Sequence, residues 1–238
     1  GLSDRYNQAL LNNALMPSSE PDKKAFSFDV IPAAMIDNII INKTATPDLP
    51  GEFAGGLVQV NTRDIPTKNQ LNVTVSLGYN SQSTFKSFTS NERSSTAWLG
   101  FDGGDRSLPA SMPNTVTYRG LTDAQKIAIS KDFNGNGFGE RVTTAAPITT
   151  INMAWSNTKT FKNDAKLGSI VSVYYRNASI IYDDVERGRF EKARTSIFTG
   201  SEVQNRYSVN LGVMANFTYV KGATKISFRN LVNQVYEE

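Results

Sequence analysis

Apolar and polar residues alternate along five stretches of this chain with the two-residue period of an extended strand. The cleanest sets Leu71, Val73, Val75, Leu77 and Tyr79 against Asn72, Thr74, Ser76, Gly78 and Asn80, and predicts a first strand from about Gln70 to Phe88. A second, about Pro147 to Phe161, carries Thr149, Ile151, Met153 and Trp155 on one face. A third, about Leu167 to Asp183, is less regular and places Val171, Val173 and Tyr175 together. In the fourth, Tyr207, Val209, Leu211, Val213, Ala215, Phe217 and Tyr219 oppose Ser208, Asn210, Gly212, Asn216 and Thr218. In the fifth, Ile226 and Phe228 alternate with Ser227 and Arg229.

A strand that is apolar on one side and small and polar on the other suits a wall between lipid and a wet lumen, and roughly 9–11 tilted residues cross a bilayer core. A soluble sandwich alternates as well, so the connections decide. They run long, short, long, short: about 89–146, then Lys162-Asn163-Asp164-Ala165, then the charged stretch 184–201, then Lys221-Gly222-Ala223. Outer-membrane barrels sort their loops by length in this way, and a soluble sandwich has no reason to. Aromatic residues near the strand ends (Tyr79, Phe85, Phe88, Phe161, Tyr219, Tyr236) fit an interfacial girdle. The expected fold is a membrane all-β protein, a large antiparallel transmembrane β-barrel of which about five strands are present. Such barrels need about eight strands to close, so the remainder is expected in sequence beyond this segment.

Residues 1–65 have a different texture and predict a small α+β unit with Pro and Gly at its corners; 66–238 hold the barrel strands. Asn7 to Met16 is of undecided type, Ala33 to Ile36 suits one helical turn after Pro32, Ile39 to Asn42 reads as a buried strand, and Leu57 to Thr62 as another. Inside the first long connection, Leu121 to Lys131 predicts a helix opened by Thr122 with Gln125 three residues on, the spacing of a capping box.

The chain has neither Cys nor His, which removes disulfides, thiolate chemistry, imidazole metal sites and His-based triads. Its net charge of +3 comes from 25 basic and 22 acidic residues without a basic block, so nucleic acid is not an expected partner. No apolar run approaches the roughly 20 residues of a membrane helix. The opening Gly1-Leu2-Ser3 and the strand pattern at Val235 to Glu238 suggest an internal piece of a longer polypeptide. Nothing points to catalysis: Asp183-Asp184 lies in a charged loop, and neighbouring strand residues point to opposite faces.

The N-terminal block carries a resemblance. Gly1-Leu2-Ser3-Asp4-Arg5-Tyr6-Asn7, Leu10-Leu11-Asn12, Pro17-Ser18-Ser19-Glu20-Pro21-Asp22, Ala25-Phe26-Ser27-Phe28-Asp29 and Ile31-Pro32 resemble the plug of a TonB-dependent outer-membrane receptor. The likeness continues through Ile36-Asp37, Lys43-Thr44, Thr46-Pro47-Asp48-Leu49-Pro50 and Phe53-Ala54-Gly55-Gly56 to Val58-Gln59-Val60-Asn61-Thr62. The style is similar to the large receptors of Bacteroidetes-type bacteria, although the glycine-rich end departs from the starch-utilisation subgroup. The resemblance implies a plug domain in the barrel lumen and active transport of a nutrient ligand across the outer membrane. It implies coupling to periplasmic TonB through an N-terminal segment outside this sequence, contact with outer-membrane lipid and a surface lipoprotein partner, and it implies no cofactor. A different reading is a non-transporting barrel that docks extracellular proteins on its large loops; a third is a soluble β-rich binding protein.

The same resemblance makes the outward plug loops ligand contacts, here Ser18, Glu20, Asp22 and Lys23 in one loop and Asp48 and Phe53 in another. Solvated loop residues are the plainer reading of each. Arg5 and Arg63 are expected to pair with carboxylates of the wall, and Gly55-Gly56 either lets the backbone approach the wall closely or forms a plain turn. Asp132, Asn134 and Asn136, with Gly137 sixth, resemble the first half of a calcium loop. Thr143 stands where the bidentate Glu belongs, and an Asn/Gly-rich turn explains the run equally well.

Overall fold

The computed structural model describes residues 7–16, 31, 36–44, 46–47, 49–50, 56–104, 107–133, 139–191 and 196–238. In chain order the strands are β1 (Asn7–Leu11), β2 (Ala14–Leu15), β3 (Ile36–Asn42), β4 (Gly56–Thr62), β5 (Gln70–Gly78), β6 (Ser87–Asn91), β7 (Glu140–Thr144), β8 (Ile148–Thr160), β9 (Lys166–Phe190), β10 (Ser196–Lys221) and β11 (Thr224–Glu237). Among the described residues a 3-10 turn (Ala97–Leu99) and two short α-helices, α1 (Thr115–Arg119) and α2 (Asp123–Ser130), lie between β6 and β7. The fold is predominantly β, and among the described residues no helix is long and apolar enough to cross a membrane. The chain divides into two compact units: 1–77, 149–176 and 210–235 form the first, and 78–148, 177–209 and 236–238 the second.

The first unit contains a four-stranded mixed sheet in the order β2-β1-β4-β3, with β1 and β4 parallel. The stretch of undecided type, Asn7 to Met16, is a tight hairpin in which Leu11 pairs with Ala14. Its two turn residues, Asn12 and Asn13, both have positive φ (51° and 68°), the conformation of primed two-residue turns that Asn accepts more readily than most side chains. Ile36, expected to end a helical turn, instead begins β3; residues 32–35 lie outside those described. The buried strand expected at Ile39 to Asn42 is a strand, but Ile39, Ile40 and Ile41 are exposed; among the described residues β3 is an edge strand paired with β4.

A five-stranded sheet runs in the order β11-β10-β9-β8-β5. In the first unit its inward side chains meet the mixed sheet: Leu11, Ile31 and Val60 form one buried cluster with Ala154, Ile170 and Met214. Alternation along β4 decides the partners. Val58 and Val60 face this cluster, whereas Leu57 turns away and is buried with Leu10. Full burial of a side chain such as Ile170 or Met214 stabilises by about 1.5–3 kcal/mol, so the hydrophobic contact between the two sheets is substantial.

In the second unit the expected strand through Phe88 stops at Gly78. A turn follows that Asn80 closes, its carbonyl accepting from the amides of Ser83 and Thr84 and its side chain from Gln82. Ser83 then satisfies backbone of β9, its hydroxyl oxygen accepting from the Ile181 amide at 2.8 Å. The long connection after it is structured: β6 pairs antiparallel with β7, and the capping box of Thr122 and Gln125 opens α2 as the spacing predicted. The described parts of the stretch expected as a charged loop, 184–201, extend the strand ladders instead, since β9 continues to Phe190 and β10 begins at Ser196. Strand propensity in Ile197, Phe198 and Val203 outweighs the charges around them.

Candidate functional site

The six residues expected to touch ligand, Ser18, Glu20, Asp22, Lys23, Asp48 and Phe53, all lie outside the described residues, as do Arg5, Asn134 and Asn136. Asp132 is exposed, and Thr143, at the twelfth position of the calcium-like run, sits in β7 and donates to the Phe88 carbonyl. No group of three or more metal-ligating acidic side chains occurs among the described residues. The site that the structure does describe is the two-faced sheet of the first unit and the segment that joins the mixed sheet to it.

One face of that sheet is apolar and uncovered. Met153 and Trp155 of β8, Val213 and Phe217 of β10, and Ile226, Phe228 and Val232 of β11 are all exposed, as are Leu71, Val73, Val75 and Leu77 of β5. Val171, Val173 and Tyr175 of β9 share the parity of this face and are half-buried. The other face is small and polar where it is not in the core: Ser156, Ser172, Asn216 and Thr218 are buried. Asn216 donates through Nδ2 to the Thr62 hydroxyl at 3.0 Å, and Asn12 Oδ1 accepts from both the amide and the hydroxyl of Thr62. A three-residue polar chain therefore ties strand β10 to the β1–β2 turn and the end of β4.

The joining segment, 63–69, is stitched to the sheet. Ser156 donates to the Lys68 carbonyl (2.9 Å), Thr158 donates through its hydroxyl to the Pro66 carbonyl (2.8 Å), and its amide donates to Asn69 Oδ1 (2.7 Å). Gly168 on β9 lets the segment pass close, since a Cβ there would lie 2.6 Å from the Asp64 carbonyl oxygen. Asp64 accepts from Lys225 Nζ and, at 2.6 Å, from Arg229 Nη2, both on β11. Burial pushes the Asp64 carboxyl up, but the hydrogen bonds and charges of Lys225 and Arg229 outweigh it and leave the group below its ordinary value. The ionic contact expected here thus has the opposite polarity. The carboxylate belongs to the joining segment and the cations to the sheet, while Arg63 donates to the Ile36 carbonyl.

The expected girdle and the outward row of β10 need correction within the second unit. Tyr79 and Phe85 are exposed, but Phe88 and Tyr236 are buried, and Tyr207 and Val209 are buried rather than exposed. Tyr207 is covered by the Arg93 guanidinium, 3.7 Å from its ring centroid, and meets Tyr236 edge to face. Strand parity predicts only the direction of a side chain, not what the intervening connection lays over it.

Against this geometry the chain was compared with known proteins. No family model, curated protein or solved structure matches it. The reading of its function therefore rests on its own residues.

Proposed function

We propose that this chain is part of a TonB-dependent outer-membrane transporter, with β5 and β8–β11 an arc of the barrel wall and the mixed sheet part of the plug. The observation that carries the reading is the pairing of faces in the first unit. The side opposite the mixed sheet exposes Met153, Trp155, Phe217, Ile226 and Phe228, large apolar groups that water would not select in such density. The side toward it carries Ala154, Ile170 and Met214 against the mixed sheet, and beside them small polar residues and a hydrogen-bonded seam. A wall with lipid outside and a filled lumen inside has this arrangement.

The N-terminal resemblance to receptor plugs supplies the rest. Ligand binds at outward loops, a periplasmic partner pulls on a segment N-terminal to the plug, and the plug rearranges relative to the wall. Binding alone cannot accumulate a ligand, so the energy comes from the inner-membrane proton gradient through that partner. The stitched segment 63–69 is the anchor about which such a rearrangement would take place. The role requires no covalent chemistry on the cargo.

The test is cellular. Deleting the TonB partner, or dissipating the proton gradient, should abolish the uptake phenotype that depends on this protein. A phenotype that survives both would favour the docking-platform reading, to which the exposed Trp98, Phe101, Val116 and Ile127 of the first long connection give some support.

A further inference from the structure

The short-turn end of the large sheet carries a groove that passage of a ligand through a lumen does not use. It holds about 440 Å³, opens to the outside, and is lined by Phe161, Lys162, Asn163 and Ala165 of the β8–β9 turn and by Tyr219 near the end of β10. All five residues belong to the first unit. One side of the groove is fixed by the turn itself. The Phe161 amide donates to the Ala165 carbonyl (2.8 Å), the Asp164 amide to the Phe161 carbonyl (3.1 Å), and the Ala165 amide to Asn163 Oδ1 (3.3 Å). Buried Ala165 leads into β9, which lies between β8 and β10, so the groove runs from one aromatic residue to the other across the start of β9.

Phe161 and Tyr219 continue the outward rows of their strands, Ile151, Met153 and Trp155 on β8 and Val213 and Phe217 on β10. Ile151 to Phe161 is a run of eleven residues, and roughly 9–11 tilted residues cross a bilayer core. The groove therefore stands where hydrocarbon would give way to headgroups, the level at which aromatic rings settle. Cations gather at the same level. Residues 157–166 and 217–224 contain Lys159, Lys162, Lys166 and Lys221 against a single acid, Asp164. All four lysines are exposed, and among the described residues none is paired with a carboxylate. Lys159 reaches toward the turn, its Nζ 5.4 Å from the centroid of the Phe161 ring. A lysine at a membrane boundary carries its charge outward in this way.

From this juxtaposition we infer that the groove holds the headgroup end of an anionic phospholipid, its phosphate among Lys159, Lys162 and Lys221 and the start of its chains against Phe161 and Tyr219. The site rests on the membrane wall proposed above, and short turns place it in the periplasmic leaflet. A zwitterionic lipid fits less well, because its choline group would bring a further cation among the lysines.

Phe161→Trp in the native protein places an emitter in the groove and keeps an aromatic ring there; its signal is the difference in emission from the parent. The protein is reconstituted in phosphatidylcholine bilayers that contain a minor fraction of phosphatidylglycerol brominated high on its chains, or the same fraction of phosphatidylcholine so brominated. Quenching should report an enrichment of phosphatidylglycerol at the groove of about fivefold or more, the preference that one lysine gives beside an anionic headgroup. Lys159→Gln, Lys162→Gln and Lys221→Gln, introduced together, should bring the two lipids to parity; all three positions are exposed, so packing is kept. Inorganic phosphate at constant ionic strength should leave the preference unchanged, since a free anion has no chains for Phe161 and Tyr219 to hold. Equal quenching by the two lipids, a preference that outlives the three lysines, or one that free phosphate abolishes would each overturn the lipid site and leave the wall standing. Quenching by neither lipid would put the groove in water and overturn the site and the wall together.

Discussion

Gly168→Ala puts the junction between the two sheets to a direct test. The added Cβ would stand 2.6 Å from the Asp64 carbonyl oxygen and 2.9 Å from Ile65 Cδ1. Ordinary contact begins at 3.4 Å, so strand and segment must part by roughly 0.8 Å along the first of these vectors. Neither side yields easily. β9 is held by ladders to β8 and β10, and the segment is held by Ser156, Thr158 and the Asp64 ion pairs. Overpacking of this kind costs about 1–3 kcal/mol, which for a chain of this size lowers the unfolding midpoint by about 2–12 °C. Gly200→Ala is the control, since a Cβ there meets nothing within 4 Å; its effect should stay within about 0.5 kcal/mol. Both variants would be followed by thermal unfolding in detergent with tryptophan emission as the signal. A G168A midpoint equal to that of G200A would show that the segment does not lie against β9, and the junction described here would be wrong.

The remaining predictions concern charge and the apolar face. Because the folded-state pKa of Asp64 is depressed, its contribution is present above the ordinary aspartate value of 3.8 and is lost as pH falls through the lowered one. Asp64→Asn should therefore be less stable than the parent at neutral pH, and urea midpoints of the two should converge as the pH falls through the lowered value; a difference that stays constant from neutral pH into acid would remove the ionic account. Met153→Arg places a charge near the middle of β8 on the exposed apolar face. In a lipid-facing wall this costs about 2–4 kcal/mol near the midplane, whereas an exposed position in water tolerates it within about 0.5 kcal/mol. Folding yield and unfolding midpoint in lipid bilayers distinguish the two.

What could be read from the sequence was whatever depends on local period. The alternation around Leu71–Leu77 and Ile151–Trp155 located β5 and β8, and the Thr122/Gln125 spacing located the start of α2. The turn residues Asp164 and Gly222 adopt the positive φ that their chemistry suggested. The Asn12-Asn13 hairpin was missed although its signal was present, because two adjacent Asn residues between Leu11 and Ala14 are a two-residue turn in sequence form. Exposure of Ile39–Ile41 was not legible, since three consecutive isoleucines look like a core strand wherever they lie in a sheet, and only the order β2-β1-β4-β3 puts them at its edge. The Asp64–Lys225–Arg229 contact spans more than 160 residues. Its one sequence trace is a pair of cations four apart on the polar side of β11, opposite Ile226 and Phe228. The burial of Tyr207 beneath Arg93 has no trace at all, because it depends on how a long connection returns.

The central claim is that the uncovered apolar face meets lipid, and Trp155 reports on it directly. The chain contains two tryptophans, Trp98 and Trp155, and the difference in emission between the native protein and its Trp155→Phe variant isolates the one on the outward face of β8. In bilayers of lipid brominated along the acyl chains, the account predicts strong quenching of Trp155 emission and little quenching by aqueous iodide. Iodide quenching with no response to brominated lipid would place that face in water and contradict the membrane wall.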